Sequence, residues 1–234
     1  MDLIEVSQNE NRHPWELSRT KCIIDELFSL GISGNVLDIG CGDSYFDYKL
    51  IEKRENLKIY GVDINLKTEI QEERLKALNS LDKLPSIKFD YILMMDVIEH
   101  IENDNLYLQN LIDKYLSDEG FVLITVPAFM SLYSLHDKEL KHFRRYNHEE
   151  LKKVIISAGL KEKKWSYFYF SLILPRIIFK NKTQNLGLWD KKEDSVITRF
   201  VTFVLNADFK MCSLLSKFGI HLPGLSLMSV CQKR

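Results

Sequence analysis

The sequence has few cysteines and almost no net charge, and each shortage argues against a class of protein. Its four cysteines never form a Cys-x-x-Cys pair, which argues against a disulfide framework or a zinc knuckle and favours a reducing cytoplasm. A formal net charge of -1 provides no basic excess for nucleic acid, so an RNA partner is disfavoured.

Long hydrophobic runs are also missing. No stretch of the sequence has the length of apolar residues that a membrane-spanning helix needs. Residues 1–10 are polar and acidic, which is not the pattern of a signal peptide. We therefore predict a cytoplasmic protein, with peripheral contact at the inner membrane face as the alternative.

Strand-like and helix-like segments alternate along the chain, which predicts βαβ units, a mostly parallel sheet and helices on both faces. The predicted helices cover 15–30, a segment ending near 52, 66–78, 105–115 and 149–158. The predicted strands cover 35–39, 57–62, 79–81, 89–95, 121–126, 165–170 and 225–232. An insertion before the last strand interrupts the alternation.

Two glycines follow the first predicted strand, which ends in Asp38. Gly40 and Gly42 allow backbone to approach a ligand closely, and the next helix directs its N-terminal N–H groups to the same crevice. The second strand ends in Asp63, whose carboxylate can accept both ribose hydroxyl hydrogens, and a later strand ends in Asp96. These acidic strand ends predict a nucleoside crevice.

A nicotinamide dinucleotide is the obvious alternative ligand, but two residues argue against it. Its fingerprint needs a third glycine three residues after the second, where this chain has Tyr45. Asp38 would also repel a pyrophosphate, whereas it suits a cationic sulfonium ligand that carries an ammonium group. The pattern therefore favours a sulfonium nucleoside.

The motifs LDIGCGD, GVD and FDYILMMDVIEHI resemble the first, second and fourth signature motifs of class I S-adenosylmethionine-dependent methyltransferases, most closely the ubiquinone/menaquinone-biosynthesis type. The resemblance covers residues 13–165. It implies an α/β fold with a Rossmann-like, doubly wound seven-stranded sheet, an antiparallel last strand and a helical insertion before that strand. Within one domain over 1–234 it implies a lid helix at 13–30, a core at 31–170, a cap at 171–224 and a final strand at 225–234.

The same resemblance assigns roles to individual residues. Those assigned to the S-adenosylmethionine cofactor are Trp15, Asp38, Gly40, Cys41, Gly42, Asp63, Ile64, Ser80 and Asp96. Asp63 would hold the ribose, Ile64 would pack beside the adenine, and Asp96 would face the methyl-transfer site. Trp15 either covers the ligand or docks its helix on the sheet.

The sequence departs from the family pattern at two places. Ser44 stands where a third glycine is common, and we expect it to keep ordinary backbone angles. The acid that binds the adenine amino group has no clear counterpart, so Asn79, Ser80 and Asp82 all remain candidates.

After Val126-Pro127-Ala128 comes a loop rich in histidine and arginine. It resembles a subgroup of bacterial methyltransferases with a VPA…D…H.RRY…L pattern, often encoded among sugar- and lipid-modifying enzymes, which implies a small-molecule, saccharide or lipid-linked acceptor. His142 is our candidate general base, because an ordinary imidazole titrates near neutral pH. The candidate acceptor-binding residues are Arg144, Arg145 and Tyr146. The alternative is a solvated loop whose arginines pair with Glu149 and Glu150.

Two other functions remain open. Small-RNA 2′-O-methyltransferases bind a divalent metal through a similar Glu-His pair and distant histidines, which Glu99, His100 and His142 would imitate. Our first prediction is that no metal is bound, because the pair also occurs in metal-free relatives. A non-catalytic subunit that keeps the fold is the third alternative, and the retained Asp38, Gly40, Gly42 and Asp63 argue against it.

The insertion before the last strand contains two apolar segments. Residues 167–180 are aromatic and aliphatic, with basic residues following, which is compatible with peripheral membrane contact. A helical stripe of apolar residues occupies positions 197, 200, 201, 204, 211, 215 and 218. We expect this stripe to pack on the edge of the sheet, and a hydrophobic acceptor groove or a membrane contact is the alternative.

Overall fold

The computed structural model describes residues 11–179 and 191–233. Its helices are α1 Pro14–Ser29, α2 Tyr45–Ile51, α3 Asp104–Tyr115, α4 Leu135–Glu139, α5 His148–Ser157, α6 Ile173–Phe179 and α7 Val196–Ser216. Its strands are β1 Gly34–Ile39, β2 Leu57–Val62, β3 Ile70–Gln71, β4 Leu75–Leu78, β5 Phe89–Met95, β6 Leu116–Pro127, β7 Leu160–Phe168 and β8 Ser226–Lys233.

The strands form one sheet in the order β3-β4-β2-β1-β5-β6-β8-β7. Strands β4, β2, β1, β5 and β6 pair in parallel, and the last strand, β8, runs antiparallel to both of its neighbours. The predicted Rossmann-like α/β class, the antiparallel last strand and the helical insertion before it are confirmed. The sheet has eight strands instead of the predicted seven, because β3 adds a two-residue antiparallel strand at one edge.

The prediction of a helix over 66–78 is wrong, and so is that of a strand over 79–81. The first segment folds as the β3–β4 hairpin, with Ile70 opposite Ala77, and a 3₁₀ turn begins at Leu81 in the second. Pairing of β4 with β2 buries Leu75 and Ala77, and this tertiary packing outweighs the helix propensity of the charged residues around them.

Hydrophobic clusters cover both faces of the sheet. Helices α3 and α5 contribute to one, around Ile92 and Ile124, and helices α1, α2 and α7 contribute to the other, around Leu93 and Leu123. Along β5 and β6 neighbouring residues therefore alternate between two covered faces, as expected for strands buried on both sides. Among the described residues, no helix combines the length and the apolar character required to cross a bilayer.

Helix α7 does not pack as its sequence pattern predicts. Its buried residues are Thr198, Leu205, Asp208, Phe209 and Cys212. Most of the predicted stripe instead faces solvent, including Ile197, Phe200, Val204, Met211 and Phe218. The helix does pack against the edge strand β7 and against α1, as predicted for a helical cap, but it does so through a second, narrower apolar face and not through the predicted stripe.

Candidate functional site

The loop after β1 folds back onto the end of β2. The Gly40 N–H donates to the Val62 carbonyl at 2.7 Å, and the Gly42 N–H donates to Asp63 Oδ2 at 3.1 Å. Both glycines have positive φ, and a Cβ at Gly40 would lie 2.7 Å from the Val97 side chain. The loop therefore requires glycine at position 40 for its backbone conformation and for the space beside Val97.

Ser44 differs from its expected backbone geometry. It has a φ of 61°, in the left-handed region, and its side chain is fully buried. The prediction of ordinary backbone angles is therefore wrong, and serine at this position costs about 1 kcal/mol relative to glycine. The surrounding loop holds this conformation immediately before α2.

The acidic strand ends lie in different environments. Asp63 accepts hydrogen bonds from two backbone N–H groups, those of Gly42 and Asn65. Asp96 has a positive φ, accepts from Thr125 Oγ1 at 3.0 Å and pairs with Arg19 of α1. Burial alone would raise the pKa of Asp96, but the charge of Arg19 and the hydrogen bond from Thr125 hold it below its usual range.

Asp38 is buried against a second carboxyl group that the sequence analysis did not identify. This partner is Asp47, which lies on the buried side of α2 next to Ser44. Apart from one another and the adjacent Ser44, the two carboxyl groups have no hydrogen-bond partner within the described ranges. Burial raises the pKa of both groups, and the proximity of two carboxyls leads them to share a proton near neutral pH.

Replacing Asp47 with asparagine tests this pair through stability. Because the folded pKa values are raised, the unfolded chain releases these protons first, so the free energy of unfolding falls as pH rises from the ordinary carboxyl range. Asp47→Asn removes one titrating group and supplies an amide donor to Asp38. We expect unfolding at pH 8 to cost about 1–2 kcal/mol more than in the original chain, with a flatter pH profile.

The measurement is thermal or urea unfolding at pH 5.5 and pH 8. Asp25→Asn on the exposed side of α1 is the matched control, and it is expected to leave the profile unchanged. Equal pH profiles for Asp47→Asn and the original chain would show that the two buried carboxyls do not share a proton.

Helix α1 lies across the mouth of the crevice and is held there by two arginines. Arg12 pairs with both Glu16 and Asp43, and its guanidinium stacks over the Tyr45 ring at 3.8 Å. Arg19 pairs with Asp96 and stacks over Trp15 at 4.4 Å. The Trp15 ring thus lies beside the crevice, where both predicted roles remain compatible with its position.

The crevice beneath α1 is a cleft open to solvent. It is lined by Glu16, Arg19, Thr20, Asp38, Gly40, Cys41, Asp43, Tyr45, Phe46 and Met95. The structure therefore brings the first predicted strand end, the glycine loop and the helix at 14–29 together around one cavity. No local sequence pattern predicts the pairing of Arg12 with Asp43 or of Arg19 with Asp96, because these partners are distant in the chain.

Two residues predicted to contact adenine lie at the surface. Ile64 is 85% exposed, directly after Asp63. Ser80 caps the 3₁₀ turn that begins at Leu81, with its hydroxyl accepting from the Asp82 N–H at 3.2 Å. Their roles toward a nucleoside stay predictions.

In the loop after β6, His142 is held by the buried carboxylate of Asp137. Its Nδ1 lies 2.9 Å from Asp137 Oδ1, which leaves Nε2 on the other side of the ring. Arg145 Nε and Arg176 Nη2 also donate to Asp137, at 2.7 and 2.9 Å. Burial alone would raise the pKa of Asp137, but the bonds from His142 and Arg145 hold it well below its usual range.

Contacts within the chain engage all three predicted acceptor-binding side chains. Arg144 pairs with Asp104 at 2.9 Å, and the Tyr146 hydroxyl donates to the same carboxylate at 2.7 Å. Arg145 is buried, and besides Asp137 it donates to the Ala128 carbonyl. The alternative in which these arginines pair with Glu149 and Glu150 is wrong, because the loop folds back onto α3 and α4. Arg144 alone keeps part of its side chain at the surface.

Glu99, His100 and His142 converge next to the Asp96 strand end. One ligand atom from each of the three lies within 4.8 Å of the others, and the two histidine rings meet edge to face at 4.6 Å. Glu99 is buried, and in the part of the chain that the structure describes neither of its carboxylate oxygens receives a hydrogen bond. Burial and the nearby charge of Asp96 raise the pKa of Glu99.

Comparisons with known proteins agree with this geometry. A family model described as a methyltransferase domain matches residues 18–162, more than half of the chain. A search of curated protein sequences finds no significant match. The fold is similar to that of a SAM-dependent methyltransferase from Archaeoglobus fulgidus, with 20% identity, a TM-score of 0.53 and coverage of 92% of this chain and 94% of that one.

Two further solved structures have the same fold. The N-methyltransferase NodS from Bradyrhizobium japonicum WM9, in complex with S-adenosyl-L-homocysteine, is 13% identical with a TM-score of 0.53, covering 94% of this chain and 88% of that one. The 1,6-didemethyltoxoflavin-N1-methyltransferase from Burkholderia thailandensis is 15% identical with a TM-score of 0.54, covering 92% and 76%. The family match over 18–162, the glycine loop and the acidic crevice all support one conclusion. The chain belongs to the methyltransferase domain family and is a class I methyltransferase that uses S-adenosylmethionine.

Proposed function

We propose that this protein transfers the methyl group of S-adenosylmethionine to a hydroxyl oxygen of a small-molecule, saccharide or lipid-linked acceptor. The observation that carries the proposal is the Asp137–His142 pair, whose imidazole meets the His100 ring edge to face close to the Asp96 strand end. A base positioned at the end of the cofactor crevice is what an oxygen acceptor needs.

The residues of the crevice fit the cofactor in charge and shape. Asp38 presents a buried carboxyl that, within the described residues, has only the neighbouring Asp47 carboxyl as a partner, which suits the ammonium group of the methionine moiety. Gly40 and Gly42 provide accessible backbone, and Asp63 would accept the ribose hydroxyls. The cofactor, when bound, supplies a methyl group on a cationic sulfur, which is already a good leaving group.

Because the leaving group is good, most of the rate enhancement in this proposal comes from orientation and proximity. His142 Nε2 would accept the proton of the acceptor hydroxyl as that oxygen bonds to the methyl carbon, while the carbon–sulfur bond breaks and neutral S-adenosylhomocysteine leaves. Asp137 fixes the Nδ1–H tautomer and stabilises the imidazolium that results. Arg145 and Arg176 keep Asp137 ionised and in place, so we assign them positioning roles and leave Arg144 as the candidate for an anionic acceptor group.

The acceptor class rests on the chain's charge and on its sequence motifs. The VPA…H.RRY pattern and the ubiquinone/menaquinone type of the nucleotide motifs favour small or lipid-linked acceptors. One fold neighbour, the Burkholderia thailandensis enzyme, has the small molecule 1,6-didemethyltoxoflavin bound in its structure. A net charge of -1 disfavours a polyanionic nucleic acid.

A metal-dependent RNA 2′-O-methyltransferase is the second candidate, and the Glu99–His100–His142 cluster favours it. A carboxylate and two imidazoles are suitable ligands for a divalent transition metal or zinc. The buried Glu99 without a donor is the kind of group that a cation would stabilise, and Asp137 behind His142 resembles the carboxylate that orients metal-bound histidines.

One screen distinguishes these functions. Release of S-adenosylhomocysteine is measured with saccharide, lipid, quinone-precursor and small-RNA acceptors, each with EDTA and with added Mg²⁺ or Mn²⁺. We expect turnover on a non-nucleic-acid acceptor that is unaffected by EDTA. Turnover on RNA that EDTA abolishes would instead support the second candidate, and cofactor binding with no turnover on any acceptor would support a non-catalytic subunit.

A further inference from the structure

Helix α7 presents a continuous apolar face to solvent. The face, called here the α7 apolar face, is formed by Val196, Phe200, Phe203, Met211, Leu214 and Phe218. The first five are spaced by three, four or eight positions, which places them along one side of the helix, and Phe218 follows directly after the C-cap residue Lys217. Three of them are phenylalanines exposed by 65%, 68% and 73%, which is unusual for a surface with no function.

The opposite side of α7 is firmly docked, so this orientation is set by packing. Leu205, Phe209 and Cys212 are buried in the core. The buried carboxylate of Asp208 accepts the N–H groups of Phe170 and Ser171 at 3.0 and 2.7 Å. If α7 rotated about its axis so that the apolar face became buried, all of these contacts would break.

Helix α6 carries further exposed apolar side chains, from Leu174, Ile177 and Ile178. It is tied to the acceptor loop by Arg176, which donates to Ser134 and Asp137. Because the Arg176 side chain is directed inward, the exposed apolar side chains of this short helix face outward and form an apolar surface of their own.

The exposed charges of α7 and its C-cap are all basic. Arg199, Lys210 and Lys217 lie close to whole helical turns apart, so they line one edge of the α7 apolar face. The sole acidic residue of Val196–Ser216 is the buried Asp208. An apolar face with a basic edge is complementary to acyl chains beneath anionic phosphates.

We propose that the α7 apolar face and the outward side of α6 form a docking surface for an anionic lipid bilayer. Helix α7 lies in the interfacial plane, with its phenylalanines among the acyl chains and its three cations at the phosphate level. The proposal does not depend on methyl transfer. A second copy of the chain fits less well, because antiparallel packing across this face would bring Arg199 of one copy toward Lys217 of the other.

Co-sedimentation of the full chain with lipid vesicles tests the docking surface. The probes are vesicles of phosphatidylcholine with equal phosphatidylglycerol, and vesicles of phosphatidylcholine alone. We expect binding to the anionic vesicles that weakens with added salt, and a partition coefficient at least about tenfold lower on the neutral ones. The double variant Phe200→Ser/Phe203→Ser should lower partitioning about tenfold or more.

Further variants separate the contribution of the basic residues to vesicle binding from that of the apolar face. Arg199→Glu/Lys210→Glu/Lys217→Glu should reduce binding to anionic vesicles to the level seen on neutral ones. Leu106→Ser, at an exposed apolar residue of α3, should bind like the original chain. Thermal unfolding checks that every variant stays folded, as expected for exposed positions.

Two outcomes would overturn the proposal. One is that the original chain does not bind the anionic vesicles, or that it binds them no more tightly than the phenylalanine variant does. The other is a dimer in sedimentation velocity that Phe200→Ser/Phe203→Ser converts to monomer without any vesicle binding, which would assign this face to a second copy.

Discussion

Replacing Asp63 with alanine is expected to weaken binding of S-adenosylmethionine about 100-fold, because two hydrogen bonds to an ionised carboxylate are worth about 1.5–3 kcal/mol each. In the structure this carboxylate accepts from Gly42 N at 3.1 Å and from Asn65 N at 2.8 Å. It therefore both fixes the glycine loop and presents acceptor capacity for the two ribose hydroxyls. Isothermal titration calorimetry with the cofactor measures the change in Kd.

The controls distinguish a local effect from a general one. Asp63→Asn keeps one side-chain acceptor and should give an intermediate loss of about tenfold. Asp118→Ala, at a side chain that is 96% exposed and outside the crevice, should bind as the original chain does. Unchanged affinity in Asp63→Ala would remove this residue from the cofactor site.

Replacing His142 with alanine is expected to lower kcat by about 100-fold or more, the usual contribution of a general base, and to leave the cofactor Kd unchanged. The reason is that Nδ1 is already held by Asp137, so the ring is fixed where Nε2 can take a proton. The measurement is initial rate of S-adenosylhomocysteine release at saturating acceptor, beside calorimetry with the cofactor.

His136→Ala is the matched control in the same loop, and we expect it to retain turnover. Equal kcat in His142→Ala would reject His142 as the base. A loss of turnover accompanied by loss of bound Mn²⁺ in equilibrium dialysis would instead support a ligand role for His142 in the Glu99–His100–His142 cluster.

The central features of the fold could be predicted because their signals are local. A buried run such as Phe89–Met95 specifies a strand whatever its neighbours are, and Gly40 and Gly42 mark the turn that follows β1. The prediction of a helix over 66–78 was wrong because the charged residues of this segment favour a helix locally, whereas the edge of β2 offers backbone hydrogen-bond partners to Leu75–Leu78.

The position of the acidic residues could be predicted because it also depends on local patterns. Asp38 lies at the carboxyl end of β1, Asp63 and Asp96 follow β2 and β5, and parallel strands bring their carboxyl ends to one edge of the sheet. Asp47, Arg19 and Arg176 act through partners distant in sequence, so no local pattern could reveal their roles. The division into lid helix, core, cap and final strand stays a prediction.

Arg176 connects two regions that lie apart in sequence. The same short helix, α6, that turns Leu174 and Ile178 outward sends this guanidinium inward to the carboxylate that orients His142. A tilt of α6 at a lipid surface would therefore shift the imidazole by way of Asp137. If both proposals hold, interfacial activation would need no separate regulatory domain, since the proposed lipid-contacting helix and the proposed Asp137–His142 base are joined by one ion pair.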